Sequence, residues 1–151
     1  MKIRRSIVIA ADSNRIWPLL VDPDQILQWC KAIQTIRFDG EQKSGVGTRF
    51  YFEEKAVGRL LKLNMVVTEW KKNVSIAFEM AAGNLVKSYS QRYVIKTTTQ
   101  GSHVTIFEEV RLPYGIIGFF AGLFRRPVSN AHLDRMLVKL KRLSETSNLP
   151  A

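Results

Sequence analysis

The stretch PVSNAHLDRMLVKLKRLSE, residues 127–145, decides the fold. Leu133, Met136, Leu137, Leu140 and Leu143 recur at intervals of three and four, which puts them on one face of a single long helix. Arg135, Lys139 and Arg142 fall on the opposite side. Pro127 opens such a helix without losing a needed N–H, and Asn148 and Pro150 lie beyond its end. Burying those apolar side chains at about 1.5–3 kcal/mol each contributes roughly 10 kcal/mol, an upper bound before ordering entropy is subtracted. Nearly everything upstream reads as short strands, and a sheet with one apolar face needs a cover. The helix is that cover.

Working back to the N-terminus, residues 3–9 read as a first strand, with Ile3, Ile7 and Ile9 on one face and Arg5 breaking the alternation. Asp12 or Ser13 offers an N-cap for a short helix over residues 14–20, which Pro18 limits or kinks. A second short helix starts at Asp22 and Pro23 and carries Ile26, Leu27 and Trp29 on its apolar side. That helix is too apolar to read base edges, so a DNA-binding helix-turn-helix is set aside. From Ile33 the period changes to two. Ile36 and Phe38 mark one strand, Phe50 and Phe52 the next, and Leu61, Leu63, Met65 and Val67 a long third. Val74, Ile76, Phe78 and Met80 pattern the following strand, then Tyr89, Gln91, Tyr93 and Ile95, and residues 103–112 form the last. Short turns between them favour antiparallel hairpins. The glycines of GEQKSGVGTRF, residues 40–50, supply turn conformations; the loop lacks the Gly-Lys-Ser/Thr ending of a phosphate cradle.

A chain of 151 residues with 46% hydrophobic content fits one domain with a substantial core. Its formal net charge of +10 favours anionic surfaces, but Lys and Arg are scattered and no dense basic arm appears, which argues against nucleic acid. Cys30 is the lone cysteine, so no intrachain disulfide forms and a reducing, cytoplasmic location is expected. One Cys and two His also argue against a metal site, and no cofactor motif is present. The apolar run 115–124 is too short to span a bilayer as a helix.

The order strand, two short helices, six strands and long helix resembles the START-like superfamily. That superfamily is also called SRPBCC, or polyketide cyclase/dehydrase and lipid-transport-like, and it shares the birch-pollen-allergen-like fold. The clearest local match is SIVIAADSNRIWPLLVDPDQILQW, residues 6–29: an opening strand, a small residue and an acid before the first helix, the Ile16–Trp17 pair, Asp22-Pro23 between helices, and Trp29. GVGT at 45–48, TEWKKNVSIAF at 68–78, GSHVTIFEEVRLP at 101–113 and LVKLKRLSE at 137–145 extend it. The resemblance implies an α+β helix-grip fold: one START-like domain over residues 1–151, with a curved antiparallel sheet wrapped around the C-terminal helix and an apolar cavity between them. It further implies binding of lipids, polyketides, quinones or similar molecules, with catalysis in a minority of members. Fold alone does not choose among these.

With apolar faces inward, the expected ligand-binding residues are Leu61, Leu63, Met65, Phe78, Met80, Tyr89, Gln91, Tyr93, Ile106, Val110, Met136 and Leu140. Glu108 shares the face of Val104, Ile106, Val110 and Leu112. Desolvation there raises a carboxyl pKa, making Glu108 a candidate general acid or base or ligand anchor. A bulge, or a pairing with Arg92 or Arg111, would remove it from that role. His103 in a turn and His132 near the start of the long helix read as solvated, and Cys30 as packed. YGIIGFFAGLFRR, residues 114–126, carries Ile116, Ile117, Phe119, Phe120, Leu123 and Phe124, too many apolar side chains for an ordinary loop. Three roles fit it: a buried lid, shallow insertion into an anionic membrane, or a homodimer contact. The expected function is an intracellular carrier of a hydrophobic small molecule. The alternatives are a cyclase/dehydratase acting on a polyketide-like substrate through Glu108, or a membrane-peripheral or chaperone-like interaction module.

Overall fold

The computed structural model describes residues 1–56, 58–113 and 126–146. Strand β1 (Lys2–Ile9) leads into helices α1 (Ser13–Val21) and α2 (Pro23–Trp29). Six strands follow: β2 (Ile33–Phe38), β3 (Arg49–Ala56), β4 (Arg59–Lys71), β5 (Ser75–Gly83), β6 (Ser88–Thr98) and β7 (Gly101–Arg111). Helix α3 (Arg126–Thr146) closes the described chain. The strands form one curved antiparallel sheet in the order β1-β7-β6-β5-β4-β3-β2. Consecutive hairpins run from β2 to β7, and β1 then returns to the free edge of β7, with Ile3 opposite Glu108 and Ile9 opposite Ser102. Register shifts at Ile33/Thr35, Asn64/Met65 and Val67/Glu69 mark bulges, which bend strands and sharpen their twist.

Helix α3 seats its apolar face on the concave side of this sheet. Leu133, Leu137 and Leu140 are almost wholly buried, Met136 and Leu143 are half-buried, and Arg135, Lys139 and Arg142 face solvent. The helix is also tied along β1. Arg5, the residue that breaks the alternation of the first strand, donates to both carboxylate oxygens of Asp134 at 2.7 and 2.5 Å. Lys141 Nζ donates to the Val8 carbonyl at 2.8 Å, and the Ala10 N–H to Glu145 Oε1 at 2.9 Å. An inward-pointing arginine on a core strand is thus explained by its partner on the helix.

The short helices close one end. Asp22 caps α2, its Oδ1 accepting from the Asp24 N–H at 3.0 Å, with Pro23 in the first helical position. Asp12 occupies the corresponding place before α1, but its side chain accepts no cap hydrogen bond. Pro18 lies inside α1 without ending it: the Asp22 N–H still reaches the Pro18 carbonyl at 3.0 Å. Trp29 Nε1 donates to the Leu19 carbonyl at 2.7 Å, fixing the two helices against each other. One edge of the reading changes in β5. Val74 is exposed in the turn, where its N–H closes onto the Lys71 carbonyl, and the buried run begins at Ser75 and Ile76. Gly101, at φ +130°, starts β7 where a Cβ would stand 2.2 Å from the Ile9 carbonyl, so the β6–β7 turn and the end of β1 meet only around a glycine.

Leu140→Ala is expected to cost about 2–5 kcal/mol of unfolding free energy, whereas Val138→Ala on the exposed side of α3 costs a small fraction of that. Urea unfolding of both variants checks the seating of the helix. Similar losses at the two positions would contradict it.

Candidate functional site

The buried apolar residues fall into two clusters. One gathers α1, α2, α3 and the sheet around Trp17, Trp29, Ile106, Leu137 and Leu140. The other gathers Phe52, Leu61, Leu63, Met65, Val86, Tyr89 and Val110 on the inner face of the sheet. Between them lies a cavity of about 330 Å³. Its walls draw on both clusters, with Leu20, Trp29, Cys30, Val67, Ile76 and Tyr93 from the first and Phe52, Leu61, Tyr89 and Val110 from the second. Ile33, Ile36, Phe38, Phe50 and Trp70 complete much of the apolar lining. Edge-on contact of Phe50 with Phe78, centroids 5.3 Å apart, holds part of that wall.

Polar groups converge on this space. Glu108 lies on the inner face of β7, beside Gln91 in the register of β6. Its Oε2 accepts from the Tyr89 hydroxyl and from Gln91 Nε2, both at 2.9 Å, and Gln91 Nε2 also reaches the Tyr89 hydroxyl at 2.9 Å. Neither arginine considered from the sequence neutralises it. Arg92, pointing to the other face, clamps Glu69 with two 2.9 Å bonds, and Glu69 also accepts from Ser75. Arg111 pairs with Glu109 at 3.1 Å. Burial therefore lifts the Glu108 carboxyl above its ordinary range, and the nearby Glu54 carboxylate adds to this, while Tyr89 and Gln91 pull it down. Burial also pushes the Tyr89 and Tyr93 phenols well above the usual value, so both keep their protons.

A second polar pair is not visible from periodicity. His132, on the first turns of α3, lines the cavity and places Nε2 3.1 Å from Glu54 Oε1 on β3. The sequence reading puts this histidine in solvent; the helix instead turns it inward on the side that carries Met136, one turn away. Glu54 holds the imidazole pKa above its ordinary value through that hydrogen bond, against burial and Arg135. Glu54 itself shares the parity of Phe50 and Phe52, a period-two pattern that locates it in the sequence. Cys30 also faces the cavity, but burial first and Glu54 second push its thiol up to about 12, so it is neutral and no nucleophile.

Of the residues expected from the sequence, Leu61, Phe78, Tyr89, Gln91, Tyr93, Val110, Met136 and Glu108 line the cavity. Leu63, Met65, Ile106 and Leu140 point inward yet are packed within the closed core, and Met80 is half-buried against the second cluster. These five stand outside the cavity lining, and all but Met80 are enclosed in the core. His103 pairs with Val8 within the sheet on β7 rather than sitting in a turn. Ile116, Ile117, Phe119, Phe120, Leu123 and Phe124, proposed for a lid, membrane or dimer contact, lie outside the described residues. Among the described residues no cluster of three or more His, Cys, Asp or Glu is placed to hold a metal, and no helix is long and apolar enough to cross a membrane.

The model of the polyketide cyclase / dehydrase and lipid transport family matches residues 1–145. The chain belongs to that family. No curated protein matches it in sequence. Solved structures share its helix-grip fold at low identity. The protein TTHA0849 from Thermus thermophilus is 16% identical with a TM-score of 0.82, over 99% of this chain and 100% of that one. A START superfamily protein from Mycobacterium smegmatis is 13% identical with a TM-score of 0.80, covering 97% and 99%. Ginseng major latex-like protein 151 from Panax ginseng is 17% identical with a TM-score of 0.74, covering 99% and 98%.

Glu108 and His132 make stability depend on pH in the same direction. Glu108 binds its proton more tightly folded than unfolded, so stability falls as pH rises from the ordinary carboxyl value of 4.5 through its folded value. His132, raised from 6.5, contributes fully below that pH and loses its contribution as pH climbs through the folded value. Glu108→Gln is therefore expected to gain stability relative to the parent as pH rises above 4.5. His132→Asn is expected to be at a disadvantage at about pH 5 that disappears by about pH 9. Urea unfolding across pH measures both differences; flat difference curves would contradict the burial of Glu108 and the bond between His132 and Glu54.

Proposed function

We propose that the protein binds and carries a hydrophobic small molecule, a lipid, polyketide, quinone or similar compound, between its sheet and C-terminal helix. The observation that carries this reading is the cavity of about 330 Å³, with mostly apolar and aromatic walls and a few convergent polar groups. That volume stands at the lower end of the ~300–1,000 Å³ typical of small-molecule sites. Membership of a family described by lipid transport as well as cyclisation supports the same role. The driving force is transfer of apolar ligand surface out of water, and the polar groups fix orientation. The solitary, buried Cys30 fits a reducing, cytoplasmic setting.

A second reading rests on one feature: Glu108, a carboxyl lifted by burial, stands in hydrogen-bond contact with the Tyr89 phenol inside an apolar cavity. Such a pair can exchange protons with a bound polyketide-like substrate during cyclisation or dehydration. Turnover abolished by Glu108→Gln, with the substrate still bound, marks the enzyme.

Native mass spectrometry of the purified protein, followed by denaturing extraction, tests the carrier. The expected result is a near-stoichiometric hydrophobic molecule, or a thermal shift with members of a hydrophobic library. An empty protein that no such compound stabilises would overturn the reading.

A further inference from the structure

Hydrogen bonds already made within the cavity leave an uneven remainder. Glu108 uses Oε2 for both Tyr89 and Gln91, and Glu54 uses Oε1 for His132. Gln91 spends its amide nitrogen on Tyr89 and Glu108, which fixes the amide orientation, because a carboxylate oxygen requires a donor. Glu108 Oε1, Glu54 Oε2 and Gln91 Oε1 take no hydrogen bond from the described residues, and neither does the Tyr93 hydroxyl. Yet no buried side-chain polar atom among the described residues lacks a partner. All four atoms belong to residues that line the cavity. Gln91 and Tyr93 are 7% and 5% exposed and both line that cavity; Gln91 and Glu108 also border a second pocket shared with Arg92, Phe107 and Glu109.

Beside Glu108 and Glu54 this remainder is three acceptors and one hydroxyl, while elsewhere on the lining His132 keeps its second ring nitrogen, Ser129 its hydroxyl and Trp70 its indole N–H. We propose that the ligand is uncharged and carries an alcohol or phenol hydroxyl at its buried end, donating to Glu108 or Glu54 and accepting from Tyr93. The inference deepens the carrier reading of the same cavity and rests on it. An ionised carboxylate or phosphate placed between Glu108 and Glu54 would face two protein carboxyl groups, of which only Glu54 has a cationic partner, His132, among the described residues. A cationic ligand meets the opposite obstacle. The lysines and arginine on the lining, Lys43, Lys55 and Arg135, are exposed at its solvent edge, and the whole chain carries a formal charge of +10. A hydroxyl is neutral on entry, and it both donates and accepts once inside, so it suits Glu108 in either protonation state.

The test compares four probes of one shape at neutral pH by titration calorimetry: 2-naphthol, 2-methylnaphthalene, 2-naphthoate and 2-naphthylmethylamine. Expected is 2-naphthol binding about tenfold tighter than each of the others, the fold-change of one hydrogen bond to a charged group. Glu108→Gln and Glu54→Gln, each checked for folding by circular dichroism, should weaken 2-naphthol by several-fold to about tenfold in at least one case and leave 2-methylnaphthalene unchanged. The inference is overturned if 2-naphthoate or the amine binds as tightly as 2-naphthol, if 2-methylnaphthalene does, or if neither variant alters 2-naphthol binding. In those cases the carrier stands, because the apolar probe still binds. Failure of all four probes to bind would overturn the carrier reading and this inference with it.

Discussion

Seating α3 on the concave face of the sheet is the constraint on which the rest depends. Leu133, Leu137 and Leu140 are buried to within 2% exposure, and α1 and α2 join α3 on that face through Trp17, Leu20 and Trp29. The hydrophobic contact sets the distance between helix and sheet; it does not by itself set the helix's rotation or its register along the strands. The bidentate pair of Arg5 with Asp134 supplies direction, since two parallel bonds in a fixed plane tolerate little sliding. Lys141 and Glu145 repeat the tie further along the helix, at the end of β1. Both partners of the Arg5 pair are partly solvated, so its value lies in register more than in raw stability.

From that seating follows a core that is split. The helix packs against β1 and the short helices, and a second apolar cluster occupies the sheet's inner face around Phe52, Leu63 and Met65. Aromatic side chains between the clusters, Phe50, Phe78 and Tyr93 among them, stand against one another at centroid distances of 5.3 and 6.3 Å and leave a cavity between the clusters. Close packing normally eliminates such a space, because each void forfeits dispersion contacts. Its retention beside Glu54, Tyr89, Gln91 and Glu108 fits the proposed carrier role better than a closed core does.

The polar cluster also shows how opposite faces of one strand separate two kinds of electrostatics. On β6, Gln91 and Arg92 are neighbours in sequence. Arg92 turns outward and neutralises Glu69, which it and Ser75 hold at a pKa of about 2. Gln91 turns inward to Glu108, whose carboxyl moves the other way because burial, unopposed by an ion pair among the described residues, dominates there. Alternation at period two therefore produces an ordinary surface ion pair and a perturbed cavity acid from adjacent positions.

How much of this was legible in the sequence follows from periodicity. The helix face of Leu133 to Leu143, the two short helices with Asp22-Pro23 between them, the inward parity of Tyr89, Gln91 and Tyr93, and the position of Glu108 among apolar neighbours all come from side-chain spacing, which local geometry converts directly into faces. Parity says that a side chain points inward and stops there. Whether it meets packed atoms, as Leu63, Met65, Ile106 and Leu140 do, or open space, as Leu61 and Tyr93 do, depends on which distant segments stand opposite. The same holds for Arg5, unexplained along β1 until α3 brings Asp134 across from a position 129 residues away. It holds as well for His132 and Glu54, 78 residues apart and joined only because the fold brings the first turns of α3 within side-chain reach of β3. Sequence by itself determined the elements, their faces and the fold, because these rest on short-range spacing. Tertiary structure alone decided which inward residues form a cavity and which polar groups meet there, because those are contacts between surfaces that no local pattern encodes.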